Sequence, residues 1–141
     1  MRDAEQPPSQ EPLRVSILTQ GSYLIASIHT ALDDGQLHRF RTDLLELIGQ
    51  RRSRGVIIDV AALDVIDSFA CHTLRTLAQV ARLRGAETIV VGIQPDIALA
   101  MVRLGTTLHP VRTALDLEEG LAHLNSHVPR RTTNADVAPR R

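Results

Sequence analysis

The stretch GVIIDVAALDVIDSFACHTL, residues 55–74, decides the fold because it joins two different hydrophobic periodicities. Its first part, VIIDV at 56–60, is an apolar run broken by one aspartate, which is typical of a strand buried on both faces of a sheet. From Ser68 onward apolar residues recur at helical spacing, and this stripe ends at Gly85 after two arginines. The stretch therefore predicts a buried strand followed directly by an amphipathic helix.

Segments with the same two patterns lie on both sides of this stretch. In chain order, the further predicted elements are strands at 14–19 and 23–29, a helix over 37–48, a strand at 88–93, a helix over 95–105, a short strand near 108–111 and a helix over 117–124. The first two strands flank a Gly-centred turn and predict a β-hairpin. Thr113 and Asp116 have the spacing of a capping box in front of the last helix. Because buried strands alternate with helices, the sequence predicts an α/β fold, a mixed β-sheet packed with about four α-helices.

The composition is that of one globular domain with polar ends. The chain has 141 residues, of which 43% are apolar and 23% charged, and this is enough for one hydrophobic core. We expect the domain to span 13–126, between a flexible N-terminal extension at 1–12 and a flexible C-terminal tail at 127–141. Both ends are polar and contain proline, which favours an irregular backbone.

Charge and composition exclude several classes of function. Sixteen arginines balance sixteen acids, so the chain lacks the basic excess that binding to nucleic acid or an anionic membrane requires. We see no signal peptide and no apolar run long enough to span a bilayer, and we expect a cytoplasmic protein. The lone Cys71 excludes a disulfide framework, the six histidines lack metal-ligand spacing, and no phosphate-binding loop is present. The sequence therefore predicts neither a metal nor another cofactor.

Three polar side chains, Asp64, Asp67 and Ser68, lie at the junction between the buried strand and the following helix. Serine at the start of a helix is commonly an N-cap, whose hydroxyl accepts a hydrogen bond from a free backbone N–H group. The same position suits a phosphorylated switch, because the helix terminus stabilises a phosphate locally while the added charge disrupts a docked partner. The residues leave both interpretations open, and the two are compatible.

A nucleophilic interpretation of this junction has less support. Ser68 and His72 are four residues apart and could share one helical face, with Asp64 or Asp67 orienting the pair. However, no G-x-S-x-G turn surrounds the serine, and a working triad normally gathers distant segments of the chain. We therefore expect His72 to be a solvent-facing helix residue, and we do not expect an enzyme.

Four stretches of the chain together resemble the STAS domain of anti-sigma-factor antagonists, and in particular its RsbS-type stressosome members. They are YLIASIHTALDD (23–34), GVIIDVAALDVIDSFACHTL (55–74), GAETIVVGIQPDIALAMVRLG (85–105) and TALDLEEGLAHL (113–124). The I-D-S-F and G-I-Q-P motifs are the specific part of this resemblance. The resemblance implies a STAS-type, SpoIIAA-like fold over nearly all of the predicted domain.

The resemblance also implies a phosphorylatable scaffold without catalysis of its own. In RsbS-type proteins an RsbT-type serine/threonine kinase phosphorylates the serine of the D-S-F motif, which is Ser68 here, and the kinase is then released. Asp67 precedes this serine, and with Asp64 it belongs to the partner-binding surface that we expect. RsbR-type paralogues carry a second phosphorylatable residue in the helix after G-I-x-P, where this chain has Ala100.

The expected partners follow from the same resemblance. RsbS-type and RsbR-type domains co-assemble into a large particle that holds the kinase, so homo- and hetero-oligomers are expected. The alternative is a stand-alone anti-sigma-factor antagonist, which binds an anti-sigma kinase without forming a large particle.

Overall fold

A computed structural model describes residues 14–127 of the chain. Its strands are β1 (Val15–Gln20), β2 (Tyr23–Ile28), β3 (Gly55–Asp59), β4 (Glu87–Val91) and β5 (Arg112–Ala114). Its helices are α1 (Asp34–Arg51), α2 (Ser68–Leu83), α3 (Pro95–Leu104) and α4 (Leu117–His127). The predicted flexible ends at 1–12 and 127–141 lie outside the described residues, except for His127, which is the last residue of α4.

The five strands form one mixed sheet in the order β1-β2-β3-β4-β5. β1 and β2 form an antiparallel hairpin in which Gln20 lies opposite Tyr23, as the Gly-centred turn predicted. β2, β3, β4 and β5 are parallel neighbours, so their carboxyl ends meet at the same edge. Each helix follows one of these strands and therefore begins at that edge. We call this edge the carboxyl end of the domain and the opposite edge its amino end.

Apolar side chains cover both faces of the sheet. α1 and α2 pack against each other on one face, where Leu44 and Leu77 are completely buried. α4 covers the other face through Leu124, which is also completely buried. Gly120 allows α4 to approach closely, because a Cβ atom there would lie 2.9 Å from Cγ1 of Val91. Helices on both faces of a mixed sheet confirm the predicted α/β architecture with four helices.

The predicted short strand lies a few residues further along the chain. Residues 108–111 form a turn, in which the N–H group of Val111 donates to the carbonyl of Leu108 over 2.7 Å. β5 begins after this turn and pairs with β4, with Thr113 opposite Val90. The expected strand near 108–111 is therefore wrong in position, because the turn uses those backbone groups locally.

The cap of the last helix also differs from the prediction. Thr113 lies within β5, so it is not available as the cap of α4. Asp116 takes this role: its Oδ1 atom accepts from the N–H group of Glu119 over 2.9 Å. The Glu119 carboxylate in turn accepts from the N–H group of Leu115 over 2.6 Å. The capping chemistry is the expected one, and it is moved by three residues along the chain.

Candidate functional site

Two loops at the carboxyl end, one after β3 and one after β4, hold the candidate site in place. Oδ1 of Asp59 accepts from the N–H group of Ala61 over 2.9 Å, which fixes the first turn after β3. Nε2 of Gln94 donates to the carbonyl of Ala61 over 2.8 Å and ties the second loop to the first. Gly92 lies between them with a φ of +84°, and a Cβ there would lie 2.9 Å from the Cβ of Ala61. The G-I-Q-P motif is thus the structural support of the loop that leads to Ser68.

The end of this loop shows which residue caps α2. Oδ1 of Asp67 accepts from the N–H group of Ala70 over 2.8 Å, and the backbone of Asp67 is extended, as an N-cap requires. Ser68 is the first residue of the helix proper. The interpretation of Ser68 as the N-cap is therefore wrong. The preceding aspartate has the longer reach of a carboxylate and takes the hydrogen bond, which leaves the serine with no capping function.

The Ser68 hydroxyl group is exposed and unengaged. Within residues 14–127 it makes no hydrogen bond to another residue. Among the same residues the backbone N–H groups of Ser68 and Phe69 have no acceptor, since the hydrogen bonds at the start of α2 begin with the N–H group of Ala70, to the Asp67 side chain, and that of Cys71, to the Asp67 carbonyl. Free N–H groups and the positive end of the helix dipole stabilise an anion at this position. A phosphate on Ser68 would therefore be tolerated by the domain itself.

A groove runs beside Ser68, between the loop that precedes α2 and the body of α3. Its volume is about 310 Å³. The groove, which we call the Ser68 groove, is lined by Asp64, Val65, Ile66, Asp67, Ser68, Asp96, Ile97, Ala100, Met101, Leu104 and Thr106. Its charged lining residues are all aspartates, and most of its other lining side chains are apolar. The structure thus brings the three predicted site residues together on one concave surface.

Two large apolar side chains that line this groove, Val65 and Leu104, are exposed, and further exposed apolar residues lie on α2 and α3. Val65 is 59% exposed and Phe69 41%, and both lie in the I-D-S-F region. On α3, Leu99, Val102 and Leu104 are exposed, and Ile97 is its one buried side chain. Exposed apolar groups clustered beside a polar rim are typical of a surface that binds another protein. The helical spacing in α3 does not by itself predict this surface, although the apolar residues of α3 are too many for one buried face.

The structure does not bring the side chains of Ser68 and His72 into the hydrogen bond that the nucleophilic interpretation requires. Ser68 and His72 are both exposed, and no hydrogen bond connects their side chains. His72 is a solvent-facing residue of α2, as expected.

Cys71, the residue before His72 in α2, is buried, and burial raises the pKa of its thiol. The Arg75 guanidinium lowers that pKa in part, and the Asp67 carboxylate raises it further. A buried, protonated thiol is a packing residue and a poor nucleophile.

Two further observations concern ligands and membranes. Across residues 14–127, no group of three or more His, Cys, Asp or Glu side chains is arranged to hold a metal ion. Of the helices that the structure describes, none combines the length and the apolar character needed to cross a bilayer.

Ala100 lines the same groove as Ser68. By the resemblance to RsbR-type proteins, it stands at the position of their second phosphorylatable residue.

The sheet order, the four helices and the D-S-F serine at the start of α2 define a class of domain. The family model of the STAS domain matches residues 14–120, and the chain belongs to this family. This confirms the predicted STAS fold.

A curated relative is similar to the chain over this domain. The chain is 32% identical over 90 residues to the RsbT co-antagonist protein RsbRA of Bacillus subtilis (strain 168), which covers 64% of this chain and 33% of RsbRA. The chain thus spans about a third of the length of this curated relative. The match confirms the predicted relation to RsbR-type proteins at the level of the STAS domain.

Two solved structures show the same relation. A serine-to-glutamate variant of RsbS from Moorella thermoacetica has a TM-score of 0.69 and 32% identity, over 81% of this chain and 97% of that one. A second solved structure is described as "Molecular architecture of the stressosome, a signal integration and transduction hub". One of its chains has a TM-score of 0.63 and 29% identity to this chain. That match covers 79% of this chain and 96% of the other. The domain is therefore similar in sequence and structure to STAS domains of stressosome proteins.

Proposed function

We propose that this protein is a non-catalytic scaffold of a bacterial stressosome, which sequesters an RsbT-type serine kinase and releases it when Ser68 is phosphorylated. The observation that carries this proposal is the free Ser68 hydroxyl on the rim of an acidic, apolar-lined groove. A kinase must reach a hydroxyl that is exposed and not already hydrogen-bonded. Ser68 meets both conditions.

The Ser68 groove supplies the docking chemistry. Exposed Val65 and Leu104 line the groove and offer apolar contact area, as does Phe69 next to Ser68. Asp64 and Asp67 offer carboxylates to basic side chains of a partner. Complementary charge of this kind speeds association and fixes the orientation of the partner. The kinase surface that fits would therefore combine apolar anchors with arginine or lysine.

Phosphorylation changes this surface where the partner rests on it. A phosphoryl group adds about −1.5 to −2 charges at neutral pH, beside the carboxylates of Asp64 and Asp67. Within the domain the free N–H groups at the start of α2 stabilise this charge. At a docked interface the same charge must be desolvated, and an unpaired buried charge costs several kcal/mol of binding free energy. The modification therefore weakens the complex more than the fold.

The assembly partners of the proposed scaffold are RsbR-type STAS paralogues and further copies of this chain. The support is the likeness to RsbRA and to a stressosome chain over the STAS domain. Sedimentation of the chain mixed with an RsbR-type partner is expected to give a megadalton particle. A stable monomer or dimer in every mixture would instead indicate a stand-alone anti-sigma-factor antagonist.

Mass spectrometry tests the modification directly. The chain is incubated with an RsbT-type kinase and ATP, and the modified residue is located by peptide sequencing. We expect a gain of about 80 daltons for one phosphoryl group, on Ser68. The Ser68→Ala variant should show no gain, whereas Ser126→Ala, which removes another exposed helical hydroxyl, should be modified like the unaltered chain. Modification at another residue, or none, would refute the assignment of Ser68.

A further inference from the structure

A second concave surface lies at the edge of the sheet beside β5, near the amino end and away from Ser68. Its volume is about 530 Å³. The polar side chains that line it are Arg82, Glu87, His109, Arg112, Thr113 and His123. We call it the edge cleft. Nothing in the proposed kinase-binding function uses it.

The polar groups of the edge cleft come from separate elements. Arg82 lies in the last turn of α2, on one face of the sheet, and His123 lies on α4, which covers the other face. Arg112 is the first residue of the edge strand β5 and pairs with Ile89 of β4. His109 lies in the turn that precedes β5. Four segments thus direct basic or titratable side chains to one hollow.

The charge in this hollow is poorly balanced. The guanidinium groups of Arg82 and Arg112 make no hydrogen bond or ion pair with any other residue in the described range 14–127. Among residues 14–127, Glu87 is the one carboxylate that lines the cleft, so the walls that these residues form carry a net positive charge even with both histidines neutral. Arg82 also lies where a cation stabilises a helix C-terminus. That explanation does not extend to Arg112, which is on a strand, or to His109, which is in a turn.

We propose that the edge cleft binds a small anion that carries phosphate groups. Guanidinium groups present paired N–H donors that match phosphate oxygens, and this geometry favours phosphate over a simple point charge. The Thr113 hydroxyl and the His109 imidazole provide further polar groups around the same hollow. The volume lies within the range of small-molecule sites, and the polar walls suit a small, hydrophilic ligand.

Calorimetric titration of inorganic pyrophosphate into the full chain tests this proposal. We expect saturable binding with one site per chain at near-physiological ionic strength. The double variant Arg82→Gln/Arg112→Gln should weaken the affinity by at least about tenfold, because it removes both pairs of charged donors. The control variant Arg103→Gln removes an exposed arginine of α3, outside the cleft, and should bind like the unaltered chain. Circular dichroism confirms that each variant is folded.

The arms of this experiment also detect a non-specific result. Sulfate, titrated in the same way, should bind clearly more weakly than pyrophosphate. The chemical shifts of the Arg82 and Arg112 side-chain N–H groups should change during the titration. They should reach their plateau at the same pyrophosphate concentration as the heat of binding. Unsaturable binding, equal affinity for sulfate, or an affinity unchanged in the double variant would overturn the proposal. An affinity unchanged in the double variant would place the pyrophosphate site elsewhere, for example at the arginines of 128–141.

Discussion

The two ends of this domain differ in charge although one sheet connects them. At the carboxyl end lie Asp33, Asp34, Asp59, Asp64, Asp67, Asp96, Asp116, Glu118 and Glu119, with Arg14 among them. At the amino end lie Arg51, Arg52, Arg54, Arg82, Arg84 and Arg112, with Glu87 among them. The chain as a whole has a formal net charge of zero, so this separation is invisible in its composition.

The difference shows how a local rule produces a global property. Acidic residues stabilise the first turn of a helix and basic residues the last turn. Because all four helices begin at the carboxyl end of a parallel set of strands, the rule places like charges together at each end. Asp67 and Asp116 show it directly, since each accepts a backbone hydrogen bond at the start of its helix. The acidic surface around Ser68 therefore follows from helix capping, and a partner can use it afterwards.

The largest difference in stability between the two ends is expected at two glycines. Gly92 at the carboxyl end and Gly85 at the amino end both have a positive φ. A Cβ at Gly92 would collide with Ala61, whereas a Cβ at Gly85 would meet nothing within 4 Å. Gly85→Ala should lower the free energy of unfolding by about 1 kcal/mol through backbone strain, and Gly92→Ala by about 3 kcal/mol through strain and collision. Urea denaturation of both variants measures this, and equal losses would show that the loops around the candidate site are not tightly packed.

A second comparison separates exposed apolar residues by their position. Leu104 is 79% exposed beside the Ser68 groove, and Leu83 is 88% exposed at the amino end of the domain. Leu104→Ser should weaken kinase binding about tenfold, or 1.4 kcal/mol, because it removes an anchor from the proposed interface. Leu83→Ser is the matched control and should leave kinase affinity unchanged. Surface plasmon resonance measures both, and a greater loss for the control would place the interface at the other end.

The capping geometry predicts a smaller effect on stability. Asp67→Ala removes the acceptor for the Ala70 N–H group and should lower the free energy of unfolding by about 1 kcal/mol. Ser68→Ala removes an exposed hydroxyl with no partner among the described residues, and its effect should stay within about 0.5 kcal/mol. Thermal unfolding of the two variants side by side tests this. The reverse order would restore Ser68 as the cap.

The smallest expected effect is the pH dependence that arises from Cys71. Burial raises the pKa of its thiol in the folded state, so unfolding favours the thiolate. This contribution to stability is complete below the pKa of the thiol in the unfolded chain, which is about 8.5. It is lost as the pH rises toward the higher pKa of the thiol in the folded state. The free energy of unfolding should therefore decline from about pH 8.5 upward. Cys71→Ala should lack this part of the decline. If the free energy of unfolding fell equally steeply with pH in that variant, the decline would not arise from the Cys71 thiol.

Much of the fold could be predicted from the sequence because its signals are local. The VIIDV run, the stripe from Ser68 to Leu83 and the Gly-centred turn at Gly21 each indicate one element, and the structure confirms them. The position of β5 could not be predicted, since three residues on a sheet edge carry little hydrophobic pattern. The turn at 108–111 takes its place in the sequence.

The candidate site could be predicted in part. Asp64, Asp67 and Ser68 can be named from the sequence because they are polar residues at a strand–helix junction, and in the structure they line one groove. The interpretation of Ser68 as the N-cap is wrong, because sequence spacing alone does not show whether an aspartate or the following serine accepts the capping bond. The apolar wall from α3 is a tertiary feature: it depends on how α3 lies against the β3–α2 loop, which no local pattern encodes.

The most direct test of the account is the affinity of the RsbT-type kinase for three forms of the chain. These are the unaltered protein, Ser68→Ala and Ser68→Asp, measured at equal ionic strength by calorimetry. We predict that Ser68→Ala binds like the unaltered protein, and that Ser68→Asp binds at least about tenfold more weakly because its charge adds to an acidic interface. Equal kinase affinity for Ser68→Ala and Ser68→Asp would contradict the proposal that charge at Ser68 controls the release of the partner.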